Sequence, residues 1–251
     1  MPVIFMGHGS PMNAIEENEF SRTWEELGQT LPKPKSILCV SAHWETSQTA
    51  VTAMEAPRMI YDFMGFSKEL YAVQYPAPGN PKLAQHVMDH VPNPISPDRK
   101  WGLDHGAWSV LCRMFPQADI PVVQLSLATT RDGEFHYNLG KHLHFLRDEG
   151  VLIVGSGNIV HNLGRMVWED TAFGWASEFD SKVKGWIKAE NHNPIVKFDY
   201  HDPAAALAIN SAEHYLPLLY VLGAAEPGDE VNFYNEKVWG GSLSMTCVKF
   251  G

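Results

Sequence analysis

Val3-Ile4-Phe5-Met6-Gly7-His8-Gly9-Ser10-Pro11 is the stretch that decides how this chain is read. Four apolar residues in a row read as a β-strand buried on both faces. The strand ends at a glycine, delivers one imidazole and turns at a second glycine, a residue that permits sharp turns and close approach. Ile37-Leu38-Cys39-Val40 followed by Ser41-Ala42-His43-Trp44 repeats the plan. A third copy runs from Val151-Leu152-Ile153-Val154 into Gly155-Ser156-Gly157-Asn158-Ile159-Val160-His161-Asn162. Histidines delivered by strand ends imply one shared site at the carboxyl edge of a sheet, where open α/β folds bind ligands.

Outward from these units, strands and helices alternate. Helical patterns cover 18–29, 80–91, 104–115, 135–148 and 173–190, and a last helix opens at Asn210. Further strand-like runs cover 49–53, 120–127, 230–234 and 242–249. The expectation is one α/β domain over residues 1–251, a central mixed sheet with helices on both faces and a metal site at the strand carboxyl edge. Asp104 is placed to cap a helix with His105 in its first turn. Asn210 and Glu213 have capping-box spacing, which would put His214 in the first turn of the last helix. The Gly155-Ser156-Gly157 turn lacks the rest of either nucleotide fingerprint.

The composition narrows the function. The 251 residues carry a net charge of -10 and are 45% hydrophobic. An acidic chain is a poor partner for nucleic acid or an anionic membrane. No apolar run is long enough to span a bilayer, and no targeting segment precedes the first strand. The three cysteines, Cys39, Cys112 and Cys247, are widely spaced and read as reduced residues of a cytoplasmic protein. Oligomeric state is not legible.

His8 and His43 follow strands, whereas His161 and His214 are expected to open helices. Strand carboxyl ends and helix amino ends share one side of an α/β sheet, so all four can converge, with His105 beside them. Imidazole-rich sites suit zinc, iron, copper or nickel. His86, His90, His136, His142 and His144 read as solvated helix faces, and His192 and His201 as surface residues. The irregular, aromatic segment 55–79 either covers an aromatic ligand or is a loop pinned by its own packing.

These motifs, with Asp104-His105-Gly106 and Glu213-His214-Tyr215-Leu216-Pro217, resemble those of the 4,5-DOPA extradiol dioxygenase family. That family belongs to the class III extradiol ring-opening dioxygenases, with the protocatechuate 4,5-dioxygenase β-subunit. The resemblance runs in order through nearly the whole chain. It implies one divalent metal per chain, Fe(II) for activity, with Zn(II) as the ion found in isolated protein. It implies His8 and His43 as metal ligands, with either His214 or Glu213 as the third. His161 matches the catalytic base and could close on the metal as a fourth ligand; His105 matches a catalytic residue beside substrate and oxygen. The implied partners are a small aromatic diol such as L-DOPA and O₂. Trp44, Phe63 and Tyr75 are candidates to bind the aromatic ring. A zinc hydrolase, or a metal- or peptide-binding relative without activity, is the competing expectation.

Overall fold

In a computed structural model, which describes residues 1–251, the strands are β1 (Val3–Gly7), β2 (Ser36–Thr46), β3 (Ala50–Thr52), β4 (Ser96–Asp98) and β5 (Val122–Ala128), then β6 (Val151–Gly157), β7 (Val231–Tyr234), β8 (Val238–Trp239), β9 (Leu243–Ser244) and β10 (Cys247–Phe250). The helices are α1 (Glu19–Thr30), α2 (Lys68–Tyr71), α3 (Pro81–His90), α4 (His105–Met114) and α5 (Gly133–Leu143), then α6 (Gly174–Lys188), α7 (Asn193–Val196), α8 (Pro203–Ala208) and α9 (Leu216–Ala224). Eight strands form one sheet in the order β4-β3-β5-β2-β6-β1-β10-β7. The centre, β5-β2-β6-β1, is parallel. β3 joins one side antiparallel, and β10 and β7 the other. The sheet is therefore mixed, as the alternation of elements implies.

The apolar runs are continuous because each face of the sheet is covered. Val3 and Phe5 point into one core with α5, α6 and α9, while Ile4 and Met6 point into a second with α1 and α4. This is the period of two along a strand, filled on both sides. α9 is buried along its whole length, so it carries no polar face to mark it as a helix.

Several local expectations change. Gly155-Ser156-Gly157 is not a turn: it continues β6, paired to β1 at Gly157↔Gly7 and to β2 at Ser156↔Ser41. The glycines are there for clearance. A Cβ on Gly157 would lie 2.1 Å from the His214 carbonyl oxygen, and one on Gly155 2.5 Å from that of Pro217. The last helix starts at Leu216, without a capping box at Asn210. Glu213 instead bonds Ser211 Oγ and His214 Nδ1, and Pro217 takes a first-turn position, where its missing N–H costs nothing. His161 opens no helix; it forms an isolated bridge with Leu243. The run 242–249 divides into β9 and β10, in different sheets. His136 is fully buried, its Nδ1 donating to the Asp132 carbonyl at 2.7 Å. No helix is long and apolar enough to cross a membrane.

Candidate active site

Three chain segments bring the central histidines together. His8 leaves β1 with its N–H donating to the Gly157 carbonyl of neighbouring β6. Gly9, at φ +57°, makes the turn, and its missing Cβ leaves room for the Met245 sulfur. His43 lies within β2 rather than after it. The register of β2 on β5 shifts between Val40 and Glu45, and such an irregularity re-aims side chains. His214 precedes α9, against the bare backbone of Gly157.

Each of the three rings has an oxygen partner at Nδ1. Ser156 Oγ lies 3.0 Å from His8 Nδ1 and spends its one hydrogen on the Gly106 carbonyl, 2.6 Å away. It can therefore only accept from His8, which fixes the proton of His8 on Nδ1. Asp62 Oδ2 lies 3.3 Å from His43 Nδ1, and Glu213 Oε1 lies 3.0 Å from His214 Nδ1. Carboxylates also only accept. His8 and His214 thus carry the proton on Nδ1 and leave Nε2 bare, as oxygen partners behind metal-binding imidazoles do, and the Asp62 carboxylate beside His43 favours the same tautomer there. His8 Nε2 and His43 Nε2 face each other at 3.3 Å. At that distance His43 either donates to the bare His8 Nε2 or, with both nitrogens bare, shares one cation with it. Ligand atoms of His8, His43 and His214 all fall within 4.8 Å of one another. The residues fit a metal ion.

Electrostatics keep the rings able to ligate. Burial, reinforced by the neighbouring histidines, holds His8 and His214 well below the ordinary histidine value. Burial, then the charge of His105, lowers His43 to about 4 against the pull of nearby carboxylates. His161 is lowered to about 4, again chiefly by burial. It stacks face to face on His214, with centroids 3.4 Å apart and planes 4° from parallel.

His105 opens α4, where Asp104 caps the helix by accepting from the Ala107 N–H. Asp104 is fully buried and also accepts from Ser41 Oγ at 2.6 Å and Gln124 Nε2 at 2.7 Å. The 55–79 segment both pins itself and reaches the site. Met59 bridges to Leu103, and the Trp108 indole donates to the Ile60 carbonyl. That anchoring delivers Asp62, which touches His43 and places Oδ1 3.0 Å from His105 Nδ1. Burial pushes the Asp62 carboxyl up, but hydrogen bonding to His105 and the charges of His105 and His43 outweigh it and hold the group below its ordinary value. Sequence reading missed Asp62; its only signal was its place in an aromatic loop.

The histidines floor a cavity of about 390 Å³ whose walls include Phe63, Phe66, Met166, Trp168 and Trp239. Trp44 and Tyr75 are not among them. Neighbours along a strand face opposite sides, so with His43 turned to the site Trp44 turns away, buried and stacked on Trp101. Tyr75 is buried in the core beside α4. Of the three ring-binding candidates, Phe63 alone lines the cavity, edge-on to His105 at 5.5 Å.

An α/β sheet with neutral imidazoles converging at its edge, beneath an aromatic-walled cavity, defines an enzyme that works on small aromatic molecules through a metal. Residues 2–245 match the family model described as catalytic LigB subunit of aromatic ring-opening dioxygenase. The chain is 46% identical to the 4,5-DOPA dioxygenase extradiol of Escherichia coli K12, with 100% of this chain and 95% of that protein aligned. It is 39% identical to the protein of that name from Beta vulgaris, over 98% of this chain and 95% of the relative. A crystal structure of an Escherichia coli K12 protein described as uncharacterized superposes with a TM-score of 0.87 at 43% identity, covering 100% of both chains. The chain belongs to the LigB family of metal-dependent, extradiol aromatic ring-opening dioxygenases. That membership decides against the hydrolase and the non-catalytic readings.

Proposed function

We propose that this chain opens the ring of a catechol such as L-DOPA by 4,5-cleavage, using one Fe(II) held by His8, His43 and His214. The observation that carries the ligand set is the convergence of ligand nitrogens of His8, His43 and His214 within 4.8 Å, with the two Nε2 atoms of His8 and His43 3.3 Å apart. The names of the relatives from Escherichia coli and Beta vulgaris support the substrate. Glu213 serves behind His214 rather than on the metal. Zn(II) suits the same imidazoles and is the ion expected in isolated protein.

The metal, when bound, would supply Lewis-acid activation of the ring diol and of O₂. His161, uncharged at neutral pH, takes a proton from a substrate hydroxyl, and a base so placed contributes on the order of 10²–10⁴-fold. His105 lines the cavity with Asp62 3.0 Å from its Nδ1, which leaves Nε2 to hydrogen-bond the substrate. Phe63 and Phe66 hold the ring and exclude water.

The test is oxygen uptake with L-DOPA and simple catechols, on protein stripped of metal and reloaded anaerobically with Fe(II), beside a Zn(II)-loaded control. Uptake with Fe(II) alone and a yellow ring-opened product are expected. No uptake with any catechol, at one bound iron per chain, would overturn the proposal.

A further inference from the structure

The histidine cavity has a neighbour with which it shares a wall. Ser10, Trp168, Trp239 and Leu243 line both spaces. Trp168 meets Trp239 edge-on at 6.0 Å. The neighbour holds about 530 Å³ and lies against the start of α1, where Phe20 and Arg22 line it.

The two spaces differ in charge. No Lys or Arg lines the histidine cavity. Its one carboxylate, Asp62, is engaged: Oδ1 accepts the His105 backbone N–H at 2.9 Å and faces His105 Nδ1, while Oδ2 faces His43. The neighbour is lined by five charged side chains, Glu16, Glu19, Arg22, Asp170 and Lys237. Three of them satisfy one another, because Lys237 Nζ lies 2.7 Å from Glu19 Oε1 and 2.8 Å from Asp170 Oδ2. Glu17 and Glu25, the acids on either side of Arg22 in sequence, are both held by Arg113. Arg22 and Glu16 are left with no ion pair, and both are exposed to the cavity's solvent. An α-amino acid carries its ammonium and carboxylate on one carbon, so it needs one free anion and one free cation in one place. The neighbour supplies that pair, and the histidine cavity does not.

We propose that Arg22 is a specificity residue, binding the carboxylate of an amino acid substituent on the catechol, with Glu16 receiving the ammonium group. The inference rests on the ring-opening reading with L-DOPA and names the group that recognises the amino acid end. The diol stays over the histidines, and the substituent passes Trp168 and Trp239 into the neighbouring space. A guanidinium presents a planar pair of N–H donors that matches a carboxylate, as an ammonium group does not. The contact is exposed, so it contributes about five- to tenfold in affinity and weakens as salt rises.

The experiment measures kcat/KM by oxygen uptake on Fe(II)-loaded wild type, Arg22→Gln, Arg22→Lys and Glu16→Gln. The substrates are L-DOPA, dopamine, which lacks the carboxylate, dihydroxyphenylpropionate, which lacks the ammonium group, and 4-methylcatechol, which lacks both. Arg22→Gln is expected to lower the ratio of L-DOPA to 4-methylcatechol by about five- to tenfold, through KM rather than kcat. It should lower the propionate ratio likewise and leave the dopamine ratio alone. Arg22→Lys should recover part of the loss, and Glu16→Gln should act on dopamine and not on the propionate. Arg165→Ala, an exposed cation outside both cavities, is the control for net charge. An unchanged L-DOPA ratio in Arg22→Gln, or an equal loss in Arg165→Ala, would overturn the proposal. Anaerobic calorimetry on the Zn(II)-loaded proteins repeats the comparison without turnover. Absence of cleavage across the panel would sink the ring-opening reading, while the calorimetric ratios would still decide the role of Arg22.

Discussion

His161 and His214 lie face to face, 3.4 Å apart and within 4° of parallel, yet different partners hold them. His214 has its Nδ1 on Glu213, whereas the side chain of His161 is held by no such carboxylate bond. The stack places a ring free to exchange a proton directly against a ring fixed for coordination.

The two substitutions should therefore fail differently. His214→Ala is expected to lose the metal, measured by elemental analysis after dialysis. His161→Ala should keep it and lose about 10²–10⁴-fold in kcat at saturating catechol. Equal metal loss in both would make His161 a ligand instead of a base.

Ser156 acts through His8. Its hydroxyl is committed to the Gly106 carbonyl and fixes the imidazole tautomer. Ser156→Ala should weaken metal binding by about 10–100-fold in a chelator competition, while the far-ultraviolet circular dichroism stays that of the wild type. Unchanged affinity would show that the remaining packing orients His8 without it.

The histidine cluster sets an acid limit on the metal-free protein. Burial is the first cause in each case, lowering His43 and His161 to about 4 and His8 and His214 well below the ordinary 6.5. The unfolded chain then binds protons that the folded chain refuses, so stability rises with pH. It is fully present above about 6.5 and is lost as pH falls from there toward 4. The urea midpoint of metal-free protein should fall over that window, and less steeply in His161→Asn. Equal slopes would place the acid sensitivity elsewhere.

Gly157 is a clearance residue. A Cβ there would strike the His214 carbonyl oxygen at 2.1 Å and press on Pro217 at 3.3 Å. Gly157→Ala should cost about 1–3 kcal/mol in urea unfolding and weaken the metal site with it. Gly174→Ala, where a Cβ would meet nothing within 4 Å, is the control and should do neither.

The sequence by itself determined the α/β class and the family, and it singled out the five histidines that the fold brings to one cavity. Its strongest signals are local: continuous apolar strands, a helix cap at Asp104, and glycines beside the histidines. It misjudged what depends on partners distant in the chain. Gly155-Ser156-Gly157 looks like a turn because its glycines are visible, while the backbone of 214–217 that they make room for is not. His136 looks solvated because it lies among polar neighbours, although the fold buries it completely. Trp44 looks like a ring platform until the side of β2 occupied by His43 is known. Asp62, which braces His43 and His105, has no motif at all; only the tertiary structure brings its loop to both rings. A side chain's residue type is written locally, but which atoms it meets is fixed by packing across the sheet. That packing alone decided that His8 and His214 keep Nε2 bare.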